Sequence, residues 1–174
     1  SYTEQYRENA EITMQDATRD TYRFVGWQMS FGELDRNNKF SVTSDVTLTA
    51  QWEEIYYDVT IDPNGGVYDT HTSSFTESYR AGTELTIGTA TRDTYRFTGW
   101  TADPNILGQD NKLIVTSNVT ITANWEEIYY TLTIDPNGGV YDTHTGIFSD
   151  NYRADSYATL LTPTKTGCDF AYWK

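Results

Sequence analysis

A run of ten residues, Thr-Arg-Asp-Thr-Tyr-Arg-Phe-Val-Gly-Trp at 18–27, returns with one substitution at 91–100, a displacement of 73 residues (91 − 18). The same displacement, applied without a gap, matches 18 of 20 residues for the segment 53–72 and 28 of 52 for the segment 1–52. Such a chain is a tandem repeat, and a unit of this length can bury a small core of its own. The repeat therefore predicts modules in series rather than a single catalytic centre.

Each unit is taken to begin after the tryptophan that closes the one before it, Trp52 or Trp125. The chain then holds the later part of one copy (1–52), a complete copy (53–125) and the earlier part of a third (126–174). The first segment lacks the Asp-Pro-Asn-Gly-Gly strand, and the third lacks the closing Val-Thr-Ile-Thr-Ala-Asn-Trp strand. We expect an excerpt of a longer protein whose open strand edges fray or associate head to tail with another copy.

The composition indicates a β-rich fold with aromatic cores. The chain contains 14 Tyr, 7 Phe and 5 Trp, which recur at fixed positions of the unit, so aromatic side chains are expected to fill each core. No interval of about a dozen residues places its apolar side chains at helical spacing. The sequence therefore predicts a mainly β protein, made of tandem small modules with little or no helix.

The charge of the chain narrows the classes of partner. The formal net charge is −13, and the complete copy holds ten acidic residues against four basic ones, so the excess is spread along the array. An acidic surface repels nucleic-acid phosphates and anionic lipid headgroups, so we expect no nucleic acid and no direct membrane insertion. Cys168 is the only cysteine, which excludes a disulfide within the chain.

The clearest strand of the complete copy runs over residues 57–62. Its alternation of apolar and polar residues puts Val59 and Ile61 on one face. The Pro-Asn-Gly-Gly sequence at 63–66 fixes one backbone angle and then offers residues that accept positive φ, which predicts a tight turn. A half-buried strand that ends in a reversal is therefore expected here.

The remaining elements are predicted with the same reasoning. Gly99 predicts a β-bulge or a close backbone approach beside the tryptophan, with Phe97 on a face partly opposite Trp100. The residues joining one unit to the next contain no Gly, Ser or Pro and predict a stiff, solvated linker. The predicted strands are 74–80, 84–87, 95–100 and 119–125, with variable loops at 29–38 and 102–111 and the linker at 126–129.

Three motifs occur in a fixed order, Ile-Asp-Pro-Asn-Gly-Gly, Thr-Arg-Asp-Thr-Tyr-Arg-Phe-Thr-Gly-Trp and Val-Thr-Ile-Thr-Ala-Asn-Trp. In this order the unit resembles the Listeria–Bacteroides repeat, the B-repeat type of internalin-like surface proteins, over essentially the whole chain. The resemblance implies a small β-grasp-like module in arrays on secreted or cell-wall-attached bacterial proteins, serving as stalk, spacer or adhesion segment. It brings no catalytic residues. The last copy departs from the pattern at Cys168 and Tyr172.

Several polar residues are candidates for a metal site or a catalytic site. Asp62, Asn64 and Asp69 suggest a calcium loop, but their spacing fits an Asx turn better. His71 has no nearby Cys or second His for a metal set. The adjacent pair Glu53-Glu54 points to opposite faces of a strand, which does not suit paired acid and base catalysis. We therefore predict no enzyme, no metal and no cofactor.

The sequence leaves two hypotheses of function. The first is a non-catalytic repeat array acting as stalk, spacer and adhesion scaffold at the cell surface or cell wall. The alternative is a module that binds a glycan or a host or bacterial surface protein through its repeated aromatics and variable loops, although the recurrence of the tryptophans at strand positions with inward neighbours favours a core. The candidate partner-binding residues are Trp27, Trp100, Phe31, Ile106 and Leu107.

Overall fold

The computed structural model describes residues 2–174, and every regular element in that range is a β-strand. Within these residues there is no helix that is long and apolar enough to span a membrane. The mainly β prediction is confirmed. The twelve strands are β1 Glu11–Thr13, β2 Tyr22–Met29, β3 Lys39–Ser41, β4 Leu48–Glu54, β5 Tyr56–Asp62, β6 Phe75–Arg80, β7 Glu84–Thr86, β8 Tyr95–Asp103, β9 Lys112–Ile114, β10 Val119–Glu127, β11 Tyr129–Ile134 and β12 Phe148–Arg153.

By its contacts the chain divides into two compact units. The first comprises the chain up to Ile61 together with Thr76–Ile87 and Ala102–Ile121, and the second comprises Asp62–Phe75, Gly88–Thr101 and Thr122–Lys174. The first unit contains the antiparallel pairs β1–β3, β2–β4 and β7–β9. The second contains the antiparallel pair β11–β12.

The complete copy shows the full strand arrangement of the repeat. Its main sheet has the order β6-β5-β10-β8, and β7 pairs with β9 in a separate two-stranded sheet. In the partial copies, β2–β4 corresponds to β8–β10, β1–β3 to β7–β9, and β11–β12 to β5–β6. Each partial copy therefore forms the portion of the arrangement that its residues encode.

The core of the complete copy follows the predicted alternation. In β5, Val59 and Ile61 are 1% and 7% exposed, and in β10 Ile121 and Ala123 are fully buried. Fully burying a Val or Ile side chain stabilises a fold by about 1.5–3 kcal/mol. At the predicted turn, Asn64 has a φ of 49°, the left-handed conformation that an Asn accepts with little strain. The strand and turn predicted at 57–66 are confirmed.

The predicted bulge is present, but the predicted faces around it are wrong. In the first copy, the register of β2 against β4 shifts between Phe24 and Gly26. The bulge absorbs one residue, so the next side chains return to the inner face. In the complete copy, Phe97 and Trp100 therefore share a face, with ring centroids 5.4 Å apart.

The linker prediction also needs correction. Glu126 and Glu127 belong to β10, and Tyr129 begins β11, so only Ile128 separates the two strands. The same holds in the first junction, where Ile55 alone lies between β4 and β5. A solvated four-residue linker is therefore absent from both places, because the closing strand runs on through its acidic pair.

Candidate functional site

The first junction between copies is held through the backbone of Ile55. Its N–H donates to the carbonyl oxygen of Thr21 in the first copy at 3.3 Å, and its carbonyl oxygen accepts the N–H of Ala81 in the complete copy at 2.7 Å. Both backbone polar groups of the connecting residue are therefore bonded, one to each copy. A residue held in this way does not act as a free swivel.

The second junction repeats this arrangement 73 residues later. The N–H of Ile128 donates to the carbonyl oxygen of Thr94 at 3.0 Å, and its carbonyl oxygen accepts the N–H of Ala154 at 2.8 Å. Each of the three positions is displaced by 73 from its counterpart (128 − 55, 94 − 21 and 154 − 81). The repeated sequence itself therefore encodes the junction, which forms in the same way at both boundaries between copies.

Side chains close the first junction around Glu54. Its Oε1 lies 2.9 Å from Nε of Arg80, and its Oε2 accepts the hydroxyl of Tyr56 at 2.9 Å. The guanidinium carbon of Arg80 lies over the ring of Tyr22, 4.7 Å from its centroid. The hydrogen bond to Glu54 raises the pKa of Tyr56 above its ordinary value. An arginine of one copy thus contacts a carboxylate and an aromatic ring of the copy before it.

The second junction has the same cluster around Glu127. Arg153 lies 3.2 Å from Oε1 of Glu127 through Nε, and its Nη2 donates to the hydroxyl of Tyr95 at 2.7 Å. The hydroxyl of Tyr129 donates to Oε2 of Glu127 at 2.7 Å. This hydrogen bond and, to a smaller degree, the charge of Arg153 lower the pKa of Glu127, while partial burial opposes them. These contacts therefore favour the charged form of the Glu127 carboxylate.

The other glutamate of each pair bonds within its own copy. Glu53 forms an ion pair with Arg23, its cross-strand neighbour in β2. Glu126 accepts Nη2 of Arg96 at 2.7 Å. Adjacent residues of a strand point to opposite faces. One glutamate of each pair therefore contacts an arginine of its own copy, and the other contacts the arginine of the following copy.

No single contact at a junction is strong. Exposed ion pairs contribute about 0–1 kcal/mol each, and exposed cation–π contacts about 0.5–1 kcal/mol. Net contributions of backbone hydrogen bonds are about 0.5–1.5 kcal/mol. The junction therefore depends on several weak contacts that all act on one connecting residue and its immediate neighbours.

Comparison with protein families accounts for this regularity. A family model described as the divergent InlB B-repeat domain matches residues 1–56 and 57–129. The chain belongs to the InlB B-repeat family. A second model, described as the Listeria-Bacteroides repeat domain, matches residues 130–174. The resemblance inferred from the three motifs is confirmed.

One relative of this InlB B-repeat chain comes from Evansella cellulosilytica and has the provisional name Gly-rich membrane protein. It is 28% identical over 187 residues, which cover 98% of the chain and 20% of the relative. The chain thus spans a fifth of the length of that protein. No solved structure matches the chain.

The candidate binding residues of the InlB B-repeats lie in different environments. Trp100 is 9% exposed, and its indole N–H donates to the carbonyl oxygen of Gly88 at 2.7 Å. Trp27 is half-buried, and its indole N–H donates to the carbonyl oxygen of Gln15 at 3.0 Å. Phe31 is 68% exposed in the variable loop of the first copy. Of these three, Phe31 presents the most surface to a partner.

The two aliphatic candidates lie in the loop of the complete copy. Ile106 and Leu107 are half-buried, and the N–H of Ile106 donates to the carbonyl oxygen of Pro104 at 2.8 Å. The aromatic Phe31 of the first copy is replaced by Pro104 at the equivalent position. The two loops therefore present different chemistry, and the five candidates do not recur as one repeated surface.

The polar residues that were candidates for a metal site form contacts within the protein instead. Asp62 accepts the N–H of Asn64 at 2.8 Å through Oδ1, which is the expected Asx turn. His71 stacks on Phe75 with ring centroids 3.7 Å apart, and His144 stacks on Phe148 at 3.9 Å. Within residues 2–174, no three His, Cys, Asp or Glu side chains are grouped so that they could hold a metal ion.

Sequence reasoning missed the junction arginines. Arg80 contacts Tyr22 and Glu54, which lie 58 and 26 residues earlier in the chain, so no local spacing links them. A usable signal does exist, because every member of the cluster recurs at the repeat period. Residues that recur together beside a boundary between copies are candidates for contacts across that boundary.

Proposed function

We propose that this chain is a non-catalytic spacer and adhesion scaffold of an extracellular, cell-surface or cell-wall protein. Listeria-Bacteroides repeats occur in surface proteins, and the two family models together match residues 1–174. The observation that carries the proposal is the junction. Its backbone bonds and its Glu-Arg-Tyr cluster are built twice from residues of the repeat, so each added copy would bring its own restrained connection.

A spacer needs connections between copies that restrict bending, and the junction restricts bending through its backbone bonds. A flexible linker of several residues samples many orientations, whereas a single residue bonded on both sides samples few. The net charge of −13 adds repulsion between copies along the array. Both effects favour a chain that holds its neighbours apart.

The second candidate function is binding of a glycan or a surface protein through the variable loop of the first copy. Phe31 favours it, because its exposed ring borders a shallow groove of about 90 Å³. The groove is also lined by Met29, Phe40 and Val46. The lining also includes the polar residues Glu33, Ser41, Thr43 and Ser44. An exposed aromatic ring beside a groove of mixed polarity is suited to stacking on a sugar ring whose hydroxyl groups bond to the polar lining.

A binding assay separates the two functions. The chain, its Phe31→Ser variant and a Tyr157→Ser control, which removes a fully exposed aromatic elsewhere, would be applied to a glycan array and to immobilised host cells. The scaffold proposal expects the three proteins to behave alike, because it assigns no binding role to the Phe31 loop. Saturable binding that Phe31→Ser abolishes and Tyr157→Ser retains would contradict it and establish the loop as a binding site.

A further inference from the structure

Two strands of the chain have an open edge that is covered in the complete copy. β11 pairs with β12, and no other strand of residues 2–174 pairs with β11. Its counterpart β5 lies between β6 and β10. In the first copy, β2 is the one strand of the described residues that pairs with β4, whereas the counterpart β10 lies between β5 and β8. The two strand pairs are therefore complementary halves of one four-stranded order.

Several apolar residues of these strands are less covered than their counterparts, although Ile134 of β11 is as buried as Ile61 of β5. Ile121 and Ala123 of β10 are fully buried, whereas the equivalent Leu48 and Ala50 of β4 are only half-buried. Similarly, Leu132 of β11 is half-buried where Val59 of β5 is 1% exposed. Each open strand thus keeps apolar surface that a partner strand would remove from water.

A groove beside β11 matches an indole ring. In the complete copy the ring of Trp125 lies so close to Gly66 that a Cβ there would overlap it, and its N–H donates to the carbonyl oxygen of Pro63 at 3.1 Å. The third copy keeps the Pro-Asn-Gly-Gly turn, and an open groove of about 480 Å³ borders Gly139. The groove is lined on its other sides by residues that include Val140, Thr164, Lys165 and Phe170.

We propose that β4 of a second copy of this chain docks on β11 and inserts Trp52 into the groove beside Gly139. The resulting sheet has the order β12-β11-β4-β2, with its last two strands from the second copy, and it reproduces the order β6-β5-β10-β8. An added strand gains affinity from main-chain hydrogen bonds and specificity from its side-chain pocket. The complete copy supplies the pattern for both.

The polar contacts of the complete copy have equivalents in this docked sheet. Asn64 donates through Nδ2 to the carbonyl oxygen of Ala123 at 3.0 Å, and the equivalent pair is Asn137 with Ala50. Asn118 accepts the N–H of Asp58 at 2.9 Å through Oδ1. The equivalent pair is Asp45 with Thr131, where a carboxylate oxygen replaces the amide oxygen as acceptor.

The docked sheet predicts how the assembly grows and how it responds to salt. The two surfaces of the contact differ, so each docked chain still offers a free β11 or β4, and growth continues beyond a dimer. The net charge of −13 on each chain opposes association, and salt screens this repulsion over a distance of about 8 Å at 0.15 M ionic strength. Association is therefore expected to strengthen with salt.

The experiment is sedimentation velocity over a wide concentration range at low and high salt. Thr133→Pro removes one N–H from the open edge of β11, because alternate residues of a strand share an edge and Thr133 is two residues from Thr131. Thr133→Ala keeps the N–H and is the matched control. Trp52→Ala removes the docking ring and leaves β11 intact.

We expect the unmodified chain and Thr133→Ala to form species larger than dimers, and Thr133→Pro and Trp52→Ala each to sediment as monomers. A mixture of the last two should form one-to-one dimers, because one variant supplies an intact β4 and the other an intact β11. If Trp52→Ala fails to fold, the two Thr133 variants decide alone. A chain that stays monomeric throughout, or two Thr133 variants that associate equally, would overturn the proposal.

Discussion

Trp100→Ala is expected to lower the free energy of unfolding of the complete copy by roughly 3–5 kcal/mol, as large-to-small core changes do. The ring contacts Tyr68 and Phe97 with centroids 5.3 and 5.4 Å away, and its indole N–H bonds to Gly88. Alanine would leave a cavity and an unpaired carbonyl oxygen. Urea unfolding combined with hydrogen exchange of β8 measures the loss.

Trp27→Ala is the matched control for this substitution. Trp27 occupies the same position in the first copy but is only half-buried, so its removal should cost less. If Trp100→Ala left stability unchanged and instead abolished binding to a glycan or a protein, Trp100 would be a contact residue and not a core residue.

Gly66→Ala is expected to destabilise the complete copy by about 1–3 kcal/mol, the range of overpacked cores. The new Cβ would overlap the indole of Trp125 and lie 2.6 Å from the carbonyl oxygen of Thr91. That oxygen accepts the N–H of Val67 at 2.7 Å, so it cannot retreat without loss of the bond. Thermal unfolding of the variant measures the cost.

Gly146→Ala is the control, because no atom lies within 4 Å of a Cβ built at that glycine. Surface substitutions of this kind usually change stability by less than about 0.5 kcal/mol. Equal melting temperatures for the two variants would show that the indole does not occupy the space beside Gly66.

Local pattern was sufficient for the strands that bury one face. In β5 and β10 the alternation set both the position and the inner face, since the alternating side chains pack on one core. It was insufficient for β9, Lys112–Ile114, which is three residues long and pairs with β7. Unlike the equally short β7, whose Glu-Leu-Thr sequence alternates, β9 has two apolar residues in succession, and its partner lies far away in sequence.

The junction shows a different limit. Sequence identity revealed the period, and the period places Glu126 and Glu127 beside a predicted boundary between copies. Their roles depend on contacts that the alternation rule does not encode, such as Arg153 against Glu127 and Tyr95. The strand simply continues through the acidic pair, because each glutamate finds an arginine on its own face.

The most direct test of the spacer proposal is the distribution of distances across one junction. Spin labels at Thr43→Cys and Thr116→Cys, in a Cys168→Ser background, would report on the first junction by pulsed electron paramagnetic resonance. Labels at Gln28→Cys and Thr43→Cys provide a reference within one copy, and two glycines inserted after Ile55 provide a variant with a broken junction.

The proposal predicts one narrow distribution across the native junction, similar in width to the reference, and a broad one after the glycine insertion. A distribution across the native junction as broad as that of the glycine variant would contradict the proposal, because copies that move freely about Ile55 cannot act as a restrained spacer.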